Sequence, residues 1–173
     1  MNKGKKLLVV VDMQRDFLTG ALGSKAAQSL LPRVRARIEV AAAAGETVVF
    51  TRDTHDYGYM QTQEGRRLPV PHCIRGTEGW DIDPFLPSAG CRVFDKPTFG
   101  SCALAAYAAE EGFGAIEFVG VCTDMCVLSN AVLCKAFCPE AEISVRADCC
   151  AGVTPQRHET ALQAMQACQI DVV

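Results

Sequence analysis

A cysteine near the start of a predicted helix is the residue of this chain best placed for chemistry. Residues 119–127 read Val-Gly-Val-Cys-Thr-Asp-Met-Cys-Val, and they predict a strand (115–120) followed by a helix (126–137). At a helix N-terminus, unpaired backbone N–H groups and the helix dipole stabilise negative charge. Because the thiolate is the nucleophilic form of cysteine, Cys126 is a candidate nucleophile. Its position alone leaves open that it is a small core residue.

Two charged residues at the ends of other predicted strands could activate this cysteine. Asp12 follows the apolar run 7–11, and Lys96 follows the short predicted strand 92–95. The carboxyl ends of parallel strands meet at one edge of a sheet, so both side chains are expected near Cys126. Burial could raise the pKa of Asp12 enough for it to act as the base. Each residue alone could be a cap or a solvated side chain, but together they predict a triad.

Two of the three histidines lie with carboxylates in one irregular segment, 53–90. Asp53 and His55 directly follow the second predicted strand, whereas Glu64 and His72 come later in the segment. Two imidazoles and two carboxylates suit Zn²⁺, with Fe²⁺ or Mn²⁺ as alternatives. The spacing alone also allows these to be loop residues with local hydrogen bonds.

Strands and helices alternate along the chain. The predicted strands are 7–11, 47–52, 92–95, 115–120, 143–147 and 170–173. The predicted helices cover 31–42, 102–111, 126–137 and 155–169. This order predicts an α/β fold with a mainly parallel, doubly wound (Rossmann-like) sheet and helices on both faces. We expect residues 1–173 to form one domain, with a functional loop at about 53–90.

Composition and charge exclude several classes of protein. The net charge of −3 argues against nucleic-acid binding, which needs a basic face. No apolar run approaches the ~18 residues of a membrane span, and 7–11 is too short for a signal-peptide core. The ten cysteines show no regular framework. We therefore expect reduced, mostly buried thiols, Cys102 and Cys168 among them, in a cytoplasmic protein.

Three motifs give the chain a family resemblance. They are Val-Asp-Met-Gln-Arg-Asp-Phe at 11–17, Val-Phe-Asp-Lys-Pro at 93–97, and Gly-Val-Cys-Thr-Asp-Met-Cys-Val at 120–127. Through them the chain, from about residue 7 to 173, resembles the isochorismatase-like cysteine hydrolases, and among these the nicotinamidase/pyrazinamidase group. The resemblance implies deamidation of nicotinamide to nicotinate and ammonia through a cysteine thioester, in pyridine nucleotide salvage. It implies a small-molecule amide as partner, and we expect a homo-oligomer, a dimer or a tetramer.

The resemblance also implies roles for individual residues. The family's Asp-Lys-Cys triad matches Asp12, Lys96 and Cys126. The peptide between Val121 and Cys122 is expected to be cis, and both residues to contact the substrate. Backbone N–H groups of Cys122 and Cys126 are expected to form the oxyanion hole. Phe17 matches an aromatic residue that stacks on the substrate ring.

For the metal, the resemblance implies one divalent ion per chain held by Asp53, His55 and His72, with Glu64 as a further ligand in some members. Two features depart from the family pattern. Tyr-Met-Gln at 59–61 stands where others have a second loop histidine, and no aromatic residue precedes the Pro-Val-Pro-His element that ends at His72.

Alternatives remain at this point. The chain could be another small-amide or isochorismatase-like hydrolase of the same fold, since fold and triad do not fix the substrate. It could also be a non-catalytic relative that binds a metal or ligand. The metal-free relatives lack the ligand pattern of this chain, which favours the nicotinamidase interpretation. His158, on the last predicted helix, is expected to be dispensable.

Overall fold

The computed structural model describes residues 4–173. The strands are β1 (Lys6–Val11), β2 (Thr47–Asp53), β3 (Arg92–Lys96), β4 (Ala115–Val121), β5 (Glu142–Ala151) and β6 (Asp171–Val172). The α-helices are α1 (Arg15–Leu18), α2 (Lys25–Ala43), α3 (Gln63–Arg67), α4 (Cys102–Glu111), α5 (Leu128–Phe137) and α6 (Pro155–Ala167). Short 3₁₀ helices cover Tyr59–Gln61 and Glu78–Trp80, and a π-helical turn covers Thr123–Val127. No helix in this range is both long enough and apolar enough to cross a membrane.

The six strands form one parallel sheet in the order β3-β2-β1-β4-β5-β6. β1 is central because its apolar run is buried on both faces, which suits a strand covered by helices on each side. Buried side chains of α2 pack on one face of the sheet, and those of α4, α5 and α6 pack on the other. The predicted α/β architecture is therefore confirmed.

The helix that follows β4 begins differently from the prediction. The chain passes through the π-helical turn before α5 begins at Leu128, so Cys126 lies inside this turn and not at the first turn of an α-helix. π-Helical turns are rare and occur often at functional sites. Just before it, Gly120 has φ 115°, and a Cβ there would lie 2.1 Å from the carbonyl oxygen of Val11. Only glycine therefore lets β4 lie this close to β1 at the edge where Asp12 begins.

Other differences concern lengths and exposure. β5 has ten residues where 143–147 was predicted, and it includes Cys149 and Cys150. The segment 53–90 contains α3 and two 3₁₀ turns. All ten cysteines are free and six of them are buried, which agrees with a mostly buried set, but Cys102 and Cys168 are exposed although they lie in apolar segments. Each lies at an end of a helix that packs only its other face on the sheet.

Candidate active site

Asp12, Lys96 and Cys126 form a continuous chain of contacts at the carboxyl edge of the sheet. The Lys96 Nζ lies 2.7 Å from Asp12 Oδ2 and 3.4 Å from Cys126 Sγ. All three side chains are buried. They come from the ends of β1, β3 and the segment after β4, which the sheet order brings together. The hydroxyl of Thr51 on β2 donates to Asp12 Oδ1 at 2.6 Å and fixes the carboxylate.

The charges of this group depend on one another. Burial raises the pKa of Asp12 above its ordinary value, although Lys96 opposes the shift. Burial and the Asp12 carboxylate raise the pKa of Cys126 well above its usual range. Burial alone would lower the pKa of Lys96, but Asp12, Cys126 and Asp53 hold it well above its ordinary value. Lys96 thus contacts both a carboxylate and a thiol, and Asp12 is the buried carboxylate beside the pair that is placed to receive the thiol proton.

The π-helical turn is braced from two sides. On one side, the Asn130 amide of α5 donates to the Cys126 carbonyl at 2.8 Å, and its oxygen accepts from the Ser101 N–H at 2.9 Å. The peptide between Val121 and Cys122 is cis, as the family resemblance implied. Asn130 is fully buried and stands one helical turn beyond Cys126, so it ties the π-helical turn to the start of α4.

On the other side, the start of α6 holds the same turn. The Thr123 hydroxyl lies 2.8 Å from His158 Nδ1. The next residue, Asp124, pairs with Arg157 at 2.6 Å and accepts from the Val153 N–H at 3.0 Å. His158 therefore contacts the π-helical turn, and it is not part of the group formed by Asp53, His55, Glu64 and His72.

Asp53, His55, Glu64 and His72 converge beside the triad. Their ligand atoms all lie within 4.8 Å of one another. Asp53 Oδ2 is 3.1 Å from His55 Nε2 and 3.4 Å from His72 Nε2. Glu64 Oε1 is 3.7 Å and 3.9 Å from the same two nitrogens. Ligands at about 2.1 Å from one ion stand about 3.0–3.5 Å apart, so a small closure would fit this set to a divalent metal.

The orientation of His72 supports the same interpretation. Its Nδ1 lies 2.8 Å from the Val70 carbonyl oxygen, which can only accept, so Nδ1 carries the proton. That leaves Nε2, which lies 3.4 Å from Asp53 Oδ2 in this metal-free arrangement, as the nitrogen that would coordinate a metal. Burial opposes ionisation of Asp53, but hydrogen bonds from His55 and His72 lower its pKa well below the usual range. The donor set is thus one that Zn²⁺, Fe²⁺ or Mn²⁺ would accept.

Asp53 also connects the two groups. Its Oδ1 lies 3.3 Å from the Lys96 Nζ while Oδ2 faces the histidines. Gln14 fixes its main chain: the Gln14 amide accepts from the Asp53 N–H at 2.7 Å and donates to the Asp53 carbonyl at 2.9 Å. Gln14 is completely buried, and sequence reasoning gave it no role although it lies within the 11–17 motif.

Tyr59 is another residue that sequence reasoning missed. Its ring lies 4.6 Å from the His55 ring and 5.0 Å from the His72 ring, between centroids. Its hydroxyl donates to the Leu68 carbonyl at 2.9 Å, which ties the turn 59–61 to the end of α3. Tyr59 stands where the family pattern has a further histidine, and its ring packs against both imidazoles, which are themselves 4.9 Å apart between centroids.

A cavity of about 750 Å³ opens above this edge of the sheet. Phe17, Glu64, Val121 and Cys122 line it, so the expected substrate-contacting residues share one space. Phe17 also approaches His72 edge-on, with ring centroids 5.7 Å apart. The cavity therefore joins the Glu64 side of the carboxylate–histidine group to the peptide that precedes the nucleophile turn.

Comparison with known proteins identifies the family. The isochorismatase domain matches residues 6–173, so the chain belongs to the isochorismatase family. It is 27% identical to the nicotinamidase/pyrazinamidase of Mycobacterium tuberculosis over 97% of this chain and 98% of that protein.

Solved structures give the same result. The pyrazinamidase of Pyrococcus horikoshii in complex with zinc superposes with a TM-score of 0.86 at 28% identity, covering 98% of each chain. The N-carbamoylsarcosine amidase of Thermoplasma acidophilum has a TM-score of 0.80 at 25% identity, covering 97% of this chain and 95% of that one.

Proposed function

We propose that this protein is an amidase that hydrolyses nicotinamide to nicotinate and ammonia through a thioester on Cys126. The observation that carries the proposal is the buried contact chain from Asp12 through Lys96 to Cys126, beside a carboxylate–histidine cluster. Relatives named nicotinamidase or pyrazinamidase, matched over nearly the whole chain, support the same substrate class.

In the proposed reaction, Asp12 accepts the thiol proton as the Cys126 sulfur attacks the amide carbon. Lys96 stabilises the negative charge on both partners, since its Nζ contacts both. Backbone N–H groups of Cys122 and Cys126 would bind the oxyanion, an effect worth roughly 3 kcal/mol per donor. Asp12 then returns its proton to the departing ammonia, and it later deprotonates the water that cleaves the thioester and releases the acid.

Asp53, His55, Glu64 and His72 would hold one divalent metal, with zinc as the first choice. Zinc is supported by the related Pyrococcus horikoshii pyrazinamidase, whose structure contains it. When bound, the ion would supply a Lewis-acid partner for the pyridine nitrogen of the substrate. The chain's own contribution is Phe17, which lies against His72 and lines the cavity in which the ring would sit.

The proposal extends to the setting of the reaction. We propose that residues 1–173 act as one catalytic domain, in the cytoplasm, as a homo-oligomer that serves pyridine nucleotide salvage. The ten free cysteines support a reducing compartment. Analytical ultracentrifugation of the purified protein gives the oligomeric state directly.

The direct test is ammonia release from nicotinamide, pyrazinamide and a carbamoyl amide. We expect turnover of the first two, abolished in Cys126→Ala. Cys134→Ala is the matched control, because Cys134 is a buried thiol on α5 that faces the core and not the cavity. Turnover restricted to the carbamoyl amide would move the assignment to another small-amide hydrolase. Absence of turnover with all three, together with a Cys126 that iodoacetamide does not modify, would indicate a non-catalytic binding protein.

A further inference from the structure

The cavity lined by Phe17, Val121 and Cys122 is much larger than nicotinamide. It encloses about 750 Å³. Nicotinamide has about nine non-hydrogen atoms, and at roughly 30 Å³ for each, the share of one water in the liquid, it fills no more than roughly 270 Å³. Two-thirds of the space is therefore left after a pyridine carboxamide is seated.

The unused part lies on the far side of the nucleophile from the carboxylate–histidine group. That group follows β2, whereas Cys122 follows β4, two strands along the sheet and about 10 Å away. A single ring with its carboxamide bridges this interval. The cavity continues to Ala151 at the end of β5 and Val153 just after it, and to Leu22 before α2 and Ala27 in its first turn.

The cavity as a whole is open, and apolar side chains surround its mouth. Leu68, Phe99 and Val153 line the cavity and are exposed by 36%, 41% and 52% of their surface. Isolated exposed apolar residues are ordinary, but a group of them around one cavity is typical of a surface that a ligand covers. Arg67 also lines the mouth and makes no ion pair within residues 4–173, whereas Arg157 is already paired with Asp124.

We propose that the preferred substrates are primary carboxamides whose apolar body extends beyond one ring into the space between Leu22, Ala27 and Val153. This inference rests on the proposed amidase activity and specifies its substrate class. The reaction is unchanged: the carboxamide loses ammonia to Cys126, and the additional apolar group supplies only binding. Since one extra methylene in an apolar pocket is worth about tenfold or more in kcat/KM, a second ring should produce at least that gain.

The experiment compares nicotinamide with phenyl-nicotinamides substituted at each free ring carbon, using the metal-loaded protein. At least one should exceed nicotinamide about tenfold in kcat/KM. In Val153→Trp the larger side chain occupies the space proposed for the additional apolar group. The kcat/KM for the best phenyl derivative, divided by that for nicotinamide, should therefore fall about tenfold. Val132→Trp is the matched control, as Val132 is an exposed valine on α5 that does not line the cavity.

The outcomes separate this inference from the proposed function. If nicotinamide is hydrolysed faster than every phenyl derivative, the inference is overturned and the amidase proposal stands. If no compound releases ammonia, the amidase proposal fails, and calorimetric binding to Cys126→Ala decides the inference by itself. Tenfold tighter binding of a phenyl derivative than of nicotinamide would then support it, and equal or weaker binding would overturn it.

Discussion

Replacing Lys96 with methionine tests the electrostatics of the site most directly. The Nζ of this fully buried side chain lies 2.7 Å from Asp12, 3.3 Å from Asp53 and 3.4 Å from Cys126. Methionine retains the volume of the side chain and removes the charge, so two buried carboxylates would lose their shared cation. Stability and rate should therefore both fall.

The size of both effects follows from the geometry. At 2.7 Å the attraction between Lys96 and Asp12 is about 6 kcal/mol for an effective dielectric constant of about 20, before desolvation is subtracted. Breaking a buried pair by removing one partner costs about 3–5 kcal/mol. For a protein of this size that lowers Tm by about 6–20 °C. The rate should drop by at least about 10²-fold, since the base and the nascent thiolate both lose their partner.

The assay measures Tm and, well below it, both ammonia release from nicotinamide and the rate of Cys126 alkylation by iodoacetamide. Lys5→Met is the matched control, because it removes an exposed ion pair to Glu111 that is worth about 0–1 kcal/mol. The prediction is refuted if Lys96→Met has the same Tm as the control and keeps turnover and Cys126 alkylation within a few-fold of the unaltered protein.

Three further predictions concern other parts of the molecule. Removing the metal with a chelator, or replacing His72 with alanine, should raise KM for nicotinamide far more than it slows Cys126 alkylation, because the ion is proposed to bind substrate. Elemental analysis before and after treatment gives the metal content. A KM and an alkylation rate changed by the same factor would contradict the proposal. His158→Ala should leave the metal content unchanged but lower kcat about tenfold or more, because it loosens the π-helical turn and small displacements of catalytic groups can cost up to about 10²-fold. His158→Asn, which keeps a hydrogen-bonding group near Thr123, should restore part of the lost kcat. Burial raises the pKa of Glu117, but Arg146 and Arg37 outweigh it and lower this pKa below 4.5. The ionised carboxylate therefore stabilises the fold above pH 4.5, and this contribution is lost as the pH falls. In urea unfolding, Glu117→Gln should be less stable than the unaltered protein at neutral pH, and the difference in unfolding free energy should shrink in acid.

The sequence predicted best what depends on short-range patterns. The apolar run of β1 and the bounds 102–111 of α4 rest on local signals, and the structure has both. From the strand ends alone, Asp12 and Lys96 could be placed at one edge of a parallel sheet. Their roles as base and electrostatic partner stay predictions.

What the sequence did not predict depends on contacts between distant residues. The neighbours of Gln14 in sequence do not indicate that it will fix the main chain of Asp53, and nothing around Tyr59 indicates that its ring will pack against both imidazoles. The π-helical turn was not predicted because no pattern in its five residues distinguishes it from the start of α5, and its contacts with α6 join residues distant in sequence. His158 was expected to be dispensable for the same reason, because its contact with Thr123 joins residues 35 positions apart in sequence.

The brace between α6 and the π-helical turn has a consequence for how the site is assembled during synthesis. Asp12, Lys96 and Cys126 all leave the ribosome before Arg157 and His158, so an emerging chain has every reacting group before it has the helix that holds the nucleophile turn. Ribosomes add about 5–20 residues each second, so this interval lasts a few seconds. A nascent chain halted before residue 157 would therefore contain Asp12, Lys96 and Cys126 without the α6 contacts that hold the π-helical turn.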